Sequence, residues 1–325
     1  MPEPILSIED LTVTFETLEG KYRTLNGINL QVKPLEIVGL VGESGCGKSS
    51  LALAVVGLLP VPPAKILRGS ILFKGDNLLN YTDVDIEKVR GTGISMIFQE
   101  PLTSLNPLLT VGDQINEAIT VRLERENSDH NRATVRAGSI EWLRKVGIPD
   151  PERALYRYPH ELSGGMRQRI MIAMALAESP KLMIADEPTS ALDVTTQAQI
   201  LKLTRKLVEE VKASVLFISH DLAVVAQIAD RVAVMYTGMI VEEGSAVDVF
   251  VKPLHPYTQA LLASYPRRQS INEPLTVIPG HVPSLTRIPS GCPFHPRCSY
   301  AKEECKTERP NLREVSGHKV ACVLY

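Results

Sequence analysis

The sequence lacks the long apolar segment that a membrane-spanning helix requires. Its longest apolar run, from Leu51 to Leu59, is closed by prolines at 60, 62 and 63, whereas about 20 apolar residues are needed to cross a bilayer. The first residues, Met-Pro-Glu-Pro-Ile, have neither the basic start nor the apolar core of a signal peptide. We therefore expect a cytoplasmic chain, whose membrane role, if it has one, depends on partners.

Strong charge of one sign is also missing, and cysteine is scarce. The formal net charge is −2, which gives no general attraction to nucleic acid, so we expect no nucleic-acid partner. Four of the five cysteines lie near the C-terminus, and in a cytosolic chain such a group favours a metal site over disulfides. The 325 residues allow one large domain and a smaller one.

A glycine-rich segment predicts a phosphate-binding loop. The apolar residues 36–41 lead into Gly-Glu-Ser-Gly-Cys-Gly-Lys-Ser at 42–49, which is the G-x-x-x-x-G-K-S pattern between a strand and a helix expected from Ser50 onward. Backbone N–H groups of such a loop wrap phosphates, Lys48 reaches the β and γ phosphates, and the Ser49 hydroxyl coordinates Mg²⁺. The predicted nucleotide-binding residues here are Gly42, Ser44, Gly45, Cys46, Gly47, Lys48, Ser49 and Ser50.

Polar side chains end three further apolar segments. Gln99 follows 94–98, Asp186 and Glu187 follow 181–185, and His220 comes after 214–218. Ligands of open α/β sheets bind at the carboxyl ends of strands, so we expect these residues to converge on the phosphate loop. An apolar strand that ends in two carboxylates points them to opposite faces, with Asp186 near Mg²⁺ and Glu187 orienting or deprotonating water. Taken alone, Gln99 also fits a solvated loop and His220 a structural histidine.

A second candidate anion site lies at the start of a helix. Ser163, Gly164 and Gly165 precede an apolar-periodic run, so Ser163 is a good N-cap and the glycines leave the N–H groups open to a phosphate. An ordinary capped helix explains the same residues equally simply. Residues 108–160 are mainly helical in pattern, and we interpret about 100–178 as a helical insertion. Near the N-terminus, Phe15 and Tyr22 are candidates for stacking on adenine, although either also fits ordinary packing.

In this order, these elements resemble the ATP-binding cassette (ABC) ATPases over about residues 5–250. The resemblance implies an α/β cassette at 1–251 with a RecA-like core, an antiparallel β subdomain and a helical subdomain. Two cassettes would stack head to tail, so that Ser163, Gly164, Gly165 and Gln168 face the partner's nucleotide. It favours Phe15 for adenine and leaves Tyr22 open. The matching motifs are Walker A (42–49), the Q-loop (Gln99), the signature (162–168), Walker B (Asp186), the D-loop (190–193) and the switch histidine (His220).

The resemblance also implies roles for these residues. Glu187, His220, Lys48 and Gln99 would carry catalysis, while Ser49, Gln99 and Asp186 would hold Mg²⁺. A finer resemblance, carried by 99–107, 254–258 and 291–298, is to the ATP-binding subunits of dipeptide, oligopeptide and nickel importers. It implies two integral-membrane permease subunits, a second cassette (a related chain or an identical one), an extracytoplasmic solute-binding protein acting indirectly, and a peripheral place on the cytoplasmic face of the membrane. A nickel or other solute, and a soluble ABC ATPase outside transport, remain alternatives.

The tail, residues 252–325, has too little apolar sequence for a large core. It holds ten of the chain's 23 prolines, and small loop-rich domains need a staple. Four thiolates suit either a tetrahedral Zn²⁺ or a [4Fe–4S] cluster. The resemblance favours the cluster, and free thiols are the third reading. The predicted ligands are Cys292, Cys298, Cys305 and Cys322.

Overall fold

The computed structural model of the chain describes residues 3–18, 20–99, 104–190, 192–264 and 277–325. The chain divides into two compact units. The first unit comprises residues 1–6, 32–37 and 78–219, and the second comprises 7–31, 38–77 and 220–325. The phosphate loop and the tail therefore belong to the second unit, while Gln99, the Ser163 helix and the Asp186–Glu187 pair belong to the first.

The structure has twelve strands within the described residues. They are β1 (Leu6–Thr17), β2 (Gly20–Val32), β3 (Ile37–Val41), β4 (Ala64–Phe73), β5 (Asp76–Asn77), β6 (Ile94–Ile97), β7 (Leu182–Asp186), β8 (Ser214–Ser219), β9 (Arg231–Tyr236), β10 (Met239–Ser245), β11 (Arg313–Val315) and β12 (His318–Val320).

The α-helices are mostly short outside the predicted helical insertion. They are α1 (Lys48–Val55), α2 (Asp83–Val89), α3 (Val111–Arg125), α4 (Arg132–Lys145), α5 (Pro151–Ala154), α6 (Gly164–Ala177), α7 (Val194–Val211), α8 (Leu222–Ile228), α9 (Ala246–Val251), α10 (Pro256–Ala263) and α11 (Glu304–Thr307). Within the described ranges, none of the helices has both the length and the apolar character needed to span a membrane.

The first unit combines a parallel sheet with a helical layer. Its strands follow the order β8-β7-β6, and all residues of β7 and β8 are buried, as expected of strands covered on both faces. Helices α3, α4 and α6 pack against one another and confirm the helical character predicted for this region. The Thr110–Asp113 capping box fixes the start of α3, since it satisfies N–H groups that have no partner inside the helix.

The second unit contains a four-stranded sheet of order β2-β1-β4-β5 and a run of strands in the order β11-β12-β10-β9-β3. Strands β3 and β9 are parallel, whereas β10 pairs antiparallel with both β9 and β12. The buried Glu242 of β10 accepts hydrogen bonds from the N–H groups of Leu254 (2.7 Å) and His255 (2.9 Å). The tail is therefore built onto β10 by both strand pairing and charged hydrogen bonds.

Candidate nucleotide-binding site

The phosphate loop lies between β3 and α1, as predicted, but the helix begins earlier than the sequence indicated. Helix α1 starts at Lys48, two residues before the predicted start at Ser50, and Gly47 is its N-cap residue. Gly47 has a φ of 107°, and a Cβ there would lie 2.5 Å from the carbonyl oxygen of Thr24. Only glycine fits this backbone, because other residues meet both torsional and steric barriers. The N–H groups at the start of α1 form an anion site.

Lys48 is held against the inside of this loop. Its side chain is buried, and Nζ donates to the carbonyl oxygens of Gly42 (2.8 Å) and Glu43 (3.1 Å). The predicted nucleotide-binding residue Cys46 is also buried, and burial raises the pKa of its thiol. The thiol is therefore neutral and packs inward, whereas Ser44, Gly45 and Ser49 are exposed.

In the first unit, only one of the two predicted carboxylates belongs to the strand. Asp186 is the last residue of β7 and is buried. Glu187 lies beyond the strand with a φ of 47°, so the rule that neighbouring strand residues point to opposite faces does not apply to it. Its N–H donates to the carbonyl oxygen of Ile218 at 2.9 Å. Strand alternation therefore does not set the direction of the Glu187 side chain, and the predicted opposite faces stay a prediction.

The structure brings Gln99 and Glu187 together. Gln99 Nε2 donates a hydrogen bond of 3.1 Å to Glu187 Oε2, across 88 positions of sequence. Gln99 follows β6 and is exposed, and Glu187 is half-buried. A carboxylate that already accepts a hydrogen bond has a fixed orientation, which suits a group that must align a water molecule. The residues after Gln99 in the predicted Q-loop, 100–103, lie outside the described residues.

The helix start predicted at Ser163 is confirmed, while its use as an anion site stays a prediction. The Ser163 hydroxyl accepts from the N–H of Met166 at 3.4 Å, and α6 begins at Gly164. A Cβ at Gly165 would lie 2.9 Å from Thr196 Cγ2, so this glycine also permits close packing in its own unit. Ser163 is exposed, whereas Gln168 is buried.

The predicted D-loop leads into α7. Its last residue, Asp193, caps α7 by accepting from the N–H of Thr196 at 2.9 Å. Ala191 of the same predicted loop lies outside the described residues. In the second unit, His220 precedes Asp221, whose carboxylate accepts from the N–H groups of Ala223 and Val224 and caps α8. His220 is thus placed at a helix start.

The two candidate adenine-stacking residues stack on each other. The rings of Phe15 and Tyr22 have centroids 5.8 Å apart and an interplanar angle of 9°. Tyr22, and not Phe15, lines a cavity of about 610 Å³ together with Thr17, Leu18 and tail residues 284–286. Both rings are half-buried, so the choice between Phe15 and Tyr22 for adenine stays open.

The four tail cysteines line one small cavity. Its volume is about 10 Å³, enough for about one water molecule. Burial raises the pKa of the Cys292 thiol to about 11, so this thiol is neutral. Across the described ranges, no three His, Cys, Asp or Glu side chains are placed to hold a metal ion. The placement of the described side chains therefore gives no support to the predicted metal-binding tail, which stays a prediction. The predicted ligands concerned are Cys292, Cys298, Cys305 and Cys322.

Sequence reasoning missed the residues that surround Glu43, the second residue of the phosphate loop. Its N–H donates to the hydroxyl of Tyr257 at 2.9 Å, and its carboxylate accepts from both terminal nitrogens of Arg297. Both partners come from the tail. Their sequence separation from Glu43, 214 and 254 positions, left no local pattern by which the sequence could have indicated these contacts.

Comparison with known families decides the assignment. The family described as "ABC transporter" matches residues 25–190, and the one described as "Oligopeptide/dipeptide transporter, C-terminal region" matches residues 241–305. The chain belongs to the ABC transporter family. As an ABC ATP-binding subunit it is an ATPase, and ATP is the nucleotide that its phosphate loop is built to take.

Relatives of this ABC subunit match it over nearly its whole length. It is 50% identical to the probable peptide ABC transporter ATP-binding protein y4tR of Sinorhizobium fredii, with 98% of this chain and 94% of that protein covered. It is 48% identical to the oligopeptide transport ATP-binding protein OppD of Bacillus subtilis (96% and 86% covered). It is 44% identical to OppD of Escherichia coli (98% and 93% covered).

Solved structures confirm the cassette fold. The dimeric structure of MJ0796, a bacterial ABC transporter cassette, aligns with a TM-score of 0.65 at 28% identity and covers 74% of this chain and 98% of that one. The same cassette in a post-hydrolysis state bound to ADP and Pi gives the same TM-score. The cassette portion of the predicted fold class is therefore confirmed.

Proposed function

We propose that this ABC subunit hydrolyses ATP to drive the import of di- and oligopeptides through two separate integral-membrane permease subunits. The observation that carries the proposal is the pairing of an ABC cassette with an oligopeptide/dipeptide-type C-terminal region in one chain. Relatives whose names specify peptide or oligopeptide transport span at least 96% of the chain, so the likeness includes the tail as well as the ATPase core.

The proposed roles follow from the chemistry of each side chain. Lys48 neutralises charge on the β and γ phosphates, Ser49, Gln99 and Asp186 hold Mg²⁺, and Glu187 polarises the attacking water. The hydrogen bond from Gln99 to Glu187 supports a shared task for these two groups. His220 steadies the water and the γ-phosphate.

The signature residues act on a second nucleotide. Ser163, Gly164, Gly165 and Gln168 are proposed to complete the ATP site of a partner cassette, which is a related or an identical chain. The exposed Ser163 at the positive end of α6 supports this role, because such an end attracts a phosphate. ATP binding then closes the two cassettes, and hydrolysis opens them.

The assembly that we propose lies on the cytoplasmic face of the membrane. The cassette (1–251, with the helical insertion at about 100–178) contacts the permeases through the segment after Gln99, and residues 252–325 form a C-terminal extension that packs on β10 of the cassette. An extracytoplasmic solute-binding protein delivers the peptide without contacting this chain, and no nucleic acid takes part.

Uptake measurements in cells test the transported solute. A strain with the wild-type chain is expected to accumulate labelled di- and oligopeptides, and Lys48→Ala is expected to abolish this uptake while the protein level is unchanged. Nickel uptake measured in the same cells serves as the control. Loss of nickel uptake with peptide uptake intact would overturn the peptide assignment, and co-purification with ribosomes instead of two membrane proteins would overturn the transport role.

We further propose that the four tail thiols take a metal centre, a [4Fe–4S] cluster in preference to Zn²⁺. The support is that all four line one cavity and that four cysteines are the donor set of both centres. Iron, acid-labile sulfide and zinc are to be measured in protein purified without oxygen. Iron and sulfide in equal amounts, lost in Cys298→Ser, are expected. Stoichiometric zinc in place of iron would show that the centre is Zn²⁺. If neither metal is found, the four thiols are free and the proposal is overturned.

A further inference from the structure

A tail side chain, Arg297, forms a salt bridge with Glu43 of the phosphate loop. Arg297 donates from Nη1 to Glu43 Oε2 at 2.8 Å and from Nη2 to Glu43 Oε1 at 3.0 Å. The Arg297 side chain is 5% exposed and that of Glu43 is 24% exposed. A two-pronged guanidinium–carboxylate pair of this kind has a fixed geometry and is stronger than a neutral hydrogen bond. The carboxylate of Glu43 therefore has one defined position relative to the tail.

Arg297 is itself held rigidly. Its Nε donates to the carbonyl oxygen of Pro279 at 3.0 Å, and Nη1 also donates to the hydroxyl of Tyr236 at 3.3 Å. The guanidinium lies 5.9 Å from the ring centroids of both Tyr236 and Phe294, within the range of cation–π attraction. The hydrogen bond that Arg297 donates to Glu43 is the largest of the causes that raise the pKa of Arg297. The arginine thus presents a preformed fork and not a flexible surface charge.

The tail also fixes the backbone of the same loop residue. The N–H of Glu43 donates to the hydroxyl of Tyr257 at 2.9 Å, and burial raises the pKa of this tyrosine, so its hydroxyl stays neutral. On its other side, the carbonyl oxygen of Glu43 accepts from Lys48 Nζ at 3.1 Å. Glu43 is therefore the point at which the tail and the phosphate-binding lysine meet on one residue.

A buried ion pair is weak evidence for a purely stabilising role, since desolvation offsets most of the attraction. It does fix geometry, and a loop already held in its binding conformation loses less entropy when ATP arrives. We propose that Arg297 is a positioning residue for the phosphate loop: it acts through Glu43 to hold the loop ready for ATP, so the tail contributes to nucleotide affinity. This inference rests on the proposed function of the loop.

The test measures ATP affinity and turnover of the full-length chain in four variants. Arg297→Met removes the fork and keeps the apolar stem, and Glu43→Gln removes the charge and keeps the N–H that binds Tyr257. Each is expected to raise the Kd and the KM for MgATP about tenfold with little change in kcat. The double variant is expected to lose no more ATP affinity than either single variant, because both substitutions remove the same contact. Arg297→Lys, which keeps the charge, is expected to recover part of the affinity.

Arg313→Met is the matched control, because Arg313 donates to the carbonyl oxygen of Cys322 within the tail. It is expected to leave the Kd unchanged. An unchanged Kd in Arg297→Met, an equal rise in Arg313→Met, or additive losses in the double variant would each overturn the inference. Should Arg297→Met fail to fold, Glu43→Gln with an unchanged Kd would overturn it as well. Lys48→Ala, measured alongside, distinguishes failure of the proposed loop function from failure of the inference about Arg297. If Lys48→Ala binds ATP normally, the loop assignment fails, and the inference fails with it.

Discussion

Glu187 combines a strained backbone with a restrained side chain. A residue other than glycine in the left-handed region costs on the order of 1–3 kcal/mol and persists only where its surroundings hold it. Here the N–H of Glu187 is tied to Ile218 and the carboxylate to Gln99. These two contacts hold Glu187 in that backbone conformation. A preset carboxylate of this kind needs little rearrangement before it can align a water molecule.

Replacement of this carboxylate by an amide tests its catalytic role. Glu187→Gln keeps the size of the side chain but removes its ability to accept a proton. We expect kcat to fall roughly 100- to 10,000-fold, with the Kd for MgATP unchanged. Steady-state ATPase rates and equilibrium ATP titrations measure the two quantities.

Glu178→Gln is the control for Glu187→Gln, since Glu178 is a half-buried carboxyl group at the other end of α6. Burial raises the pKa of Glu178, so its charged form is less favoured than that of an exposed carboxyl group and the change to an amide is milder there. We expect the ATPase rate of this variant to stay near that of the wild type. A normal rate in Glu187→Gln would remove Glu187 from the mechanism.

At the residue scale, the sequence could be read well where chemistry is local and poorly where it depends on distant contacts. The glycine-rich loop with Lys48 and the cap at Ser163 are set by neighbours within a few positions. The positive φ of Glu187 and the Arg297 fork on Glu43 are set by contacts across many positions. No pattern in a single sequence encodes such contacts, because they form only once the sheet is assembled.

At the element scale, two helix caps with similar local chemistry have different predicted purposes. Thr110 starts α3 with a complete capping box, its hydroxyl accepting from the Asp113 N–H at 3.1 Å. Ser163 starts α6 with a longer bond of 3.4 Å and no capping box. The weaker cap predicts that replacing Ser163 lowers the free energy of unfolding less than replacing Thr110. If Ser163 does nothing more than cap its helix, its replacement should also leave the ATPase rate unchanged.

The paired variants separate capping from nucleotide binding. Thr110→Ala is expected to lower the free energy of unfolding by about 1 kcal/mol, and Ser163→Ala by about 0.5 kcal/mol. We expect the ATPase rate to respond in the opposite order, with a large loss for Ser163→Ala and little change for Thr110→Ala. Urea unfolding and ATPase assays on the same samples check both orders. Equal ATPase rates for the two variants would reduce Ser163 to an ordinary cap.

The elements themselves followed from simple patterns, with errors at their ends. Continuous apolar runs predicted β3, β7 and β8, because strands buried on both faces need no alternation. The start of α1 was misplaced by two residues, since Gly47 can take the N-cap position that a polar side chain usually fills. The predicted metal site stays a prediction, because the spacing of cysteines in the sequence does not determine whether their thiols bind an ion.

At the scale of the whole molecule, the tail is part of the ATPase and not an appended module. Strand β12 pairs with β10, Glu242 binds the segment that opens α10, and Arg297 and Tyr257 reach the phosphate loop. These contacts lie within the second unit. Truncation at residue 252 would therefore expose the buried Glu242 and leave Glu43 without its charged partner. The cassette is expected to fold poorly without its tail, a consequence that domain boundaries drawn from sequence alone do not show.

The largest assembly that we propose is a head-to-tail pair in which each ATP site uses Lys48 of one chain and Ser163 of the other. Mixing two inactive variants tests this directly. In a pair of Lys48→Ala with Ser163→Ala, one site carries both changes and the other carries none. Half of the pairs formed from an equal mixture are mixed, so the ATPase rate should recover to about a quarter of the wild-type rate if the two sites act independently.

Each variant assayed alone, at the same total concentration, supplies the baseline for this recovery. A mixture of Lys48→Ala with Lys48→Met is the matched control, because no pairing of these two chains creates an intact site. The recovery should also rise with protein concentration, since it depends on association. The mixture could instead stay as inactive as its components while the wild type turns over ATP as a monomer. That result would mean that no ATP site is shared between two chains, and it would overturn the shared-site arrangement.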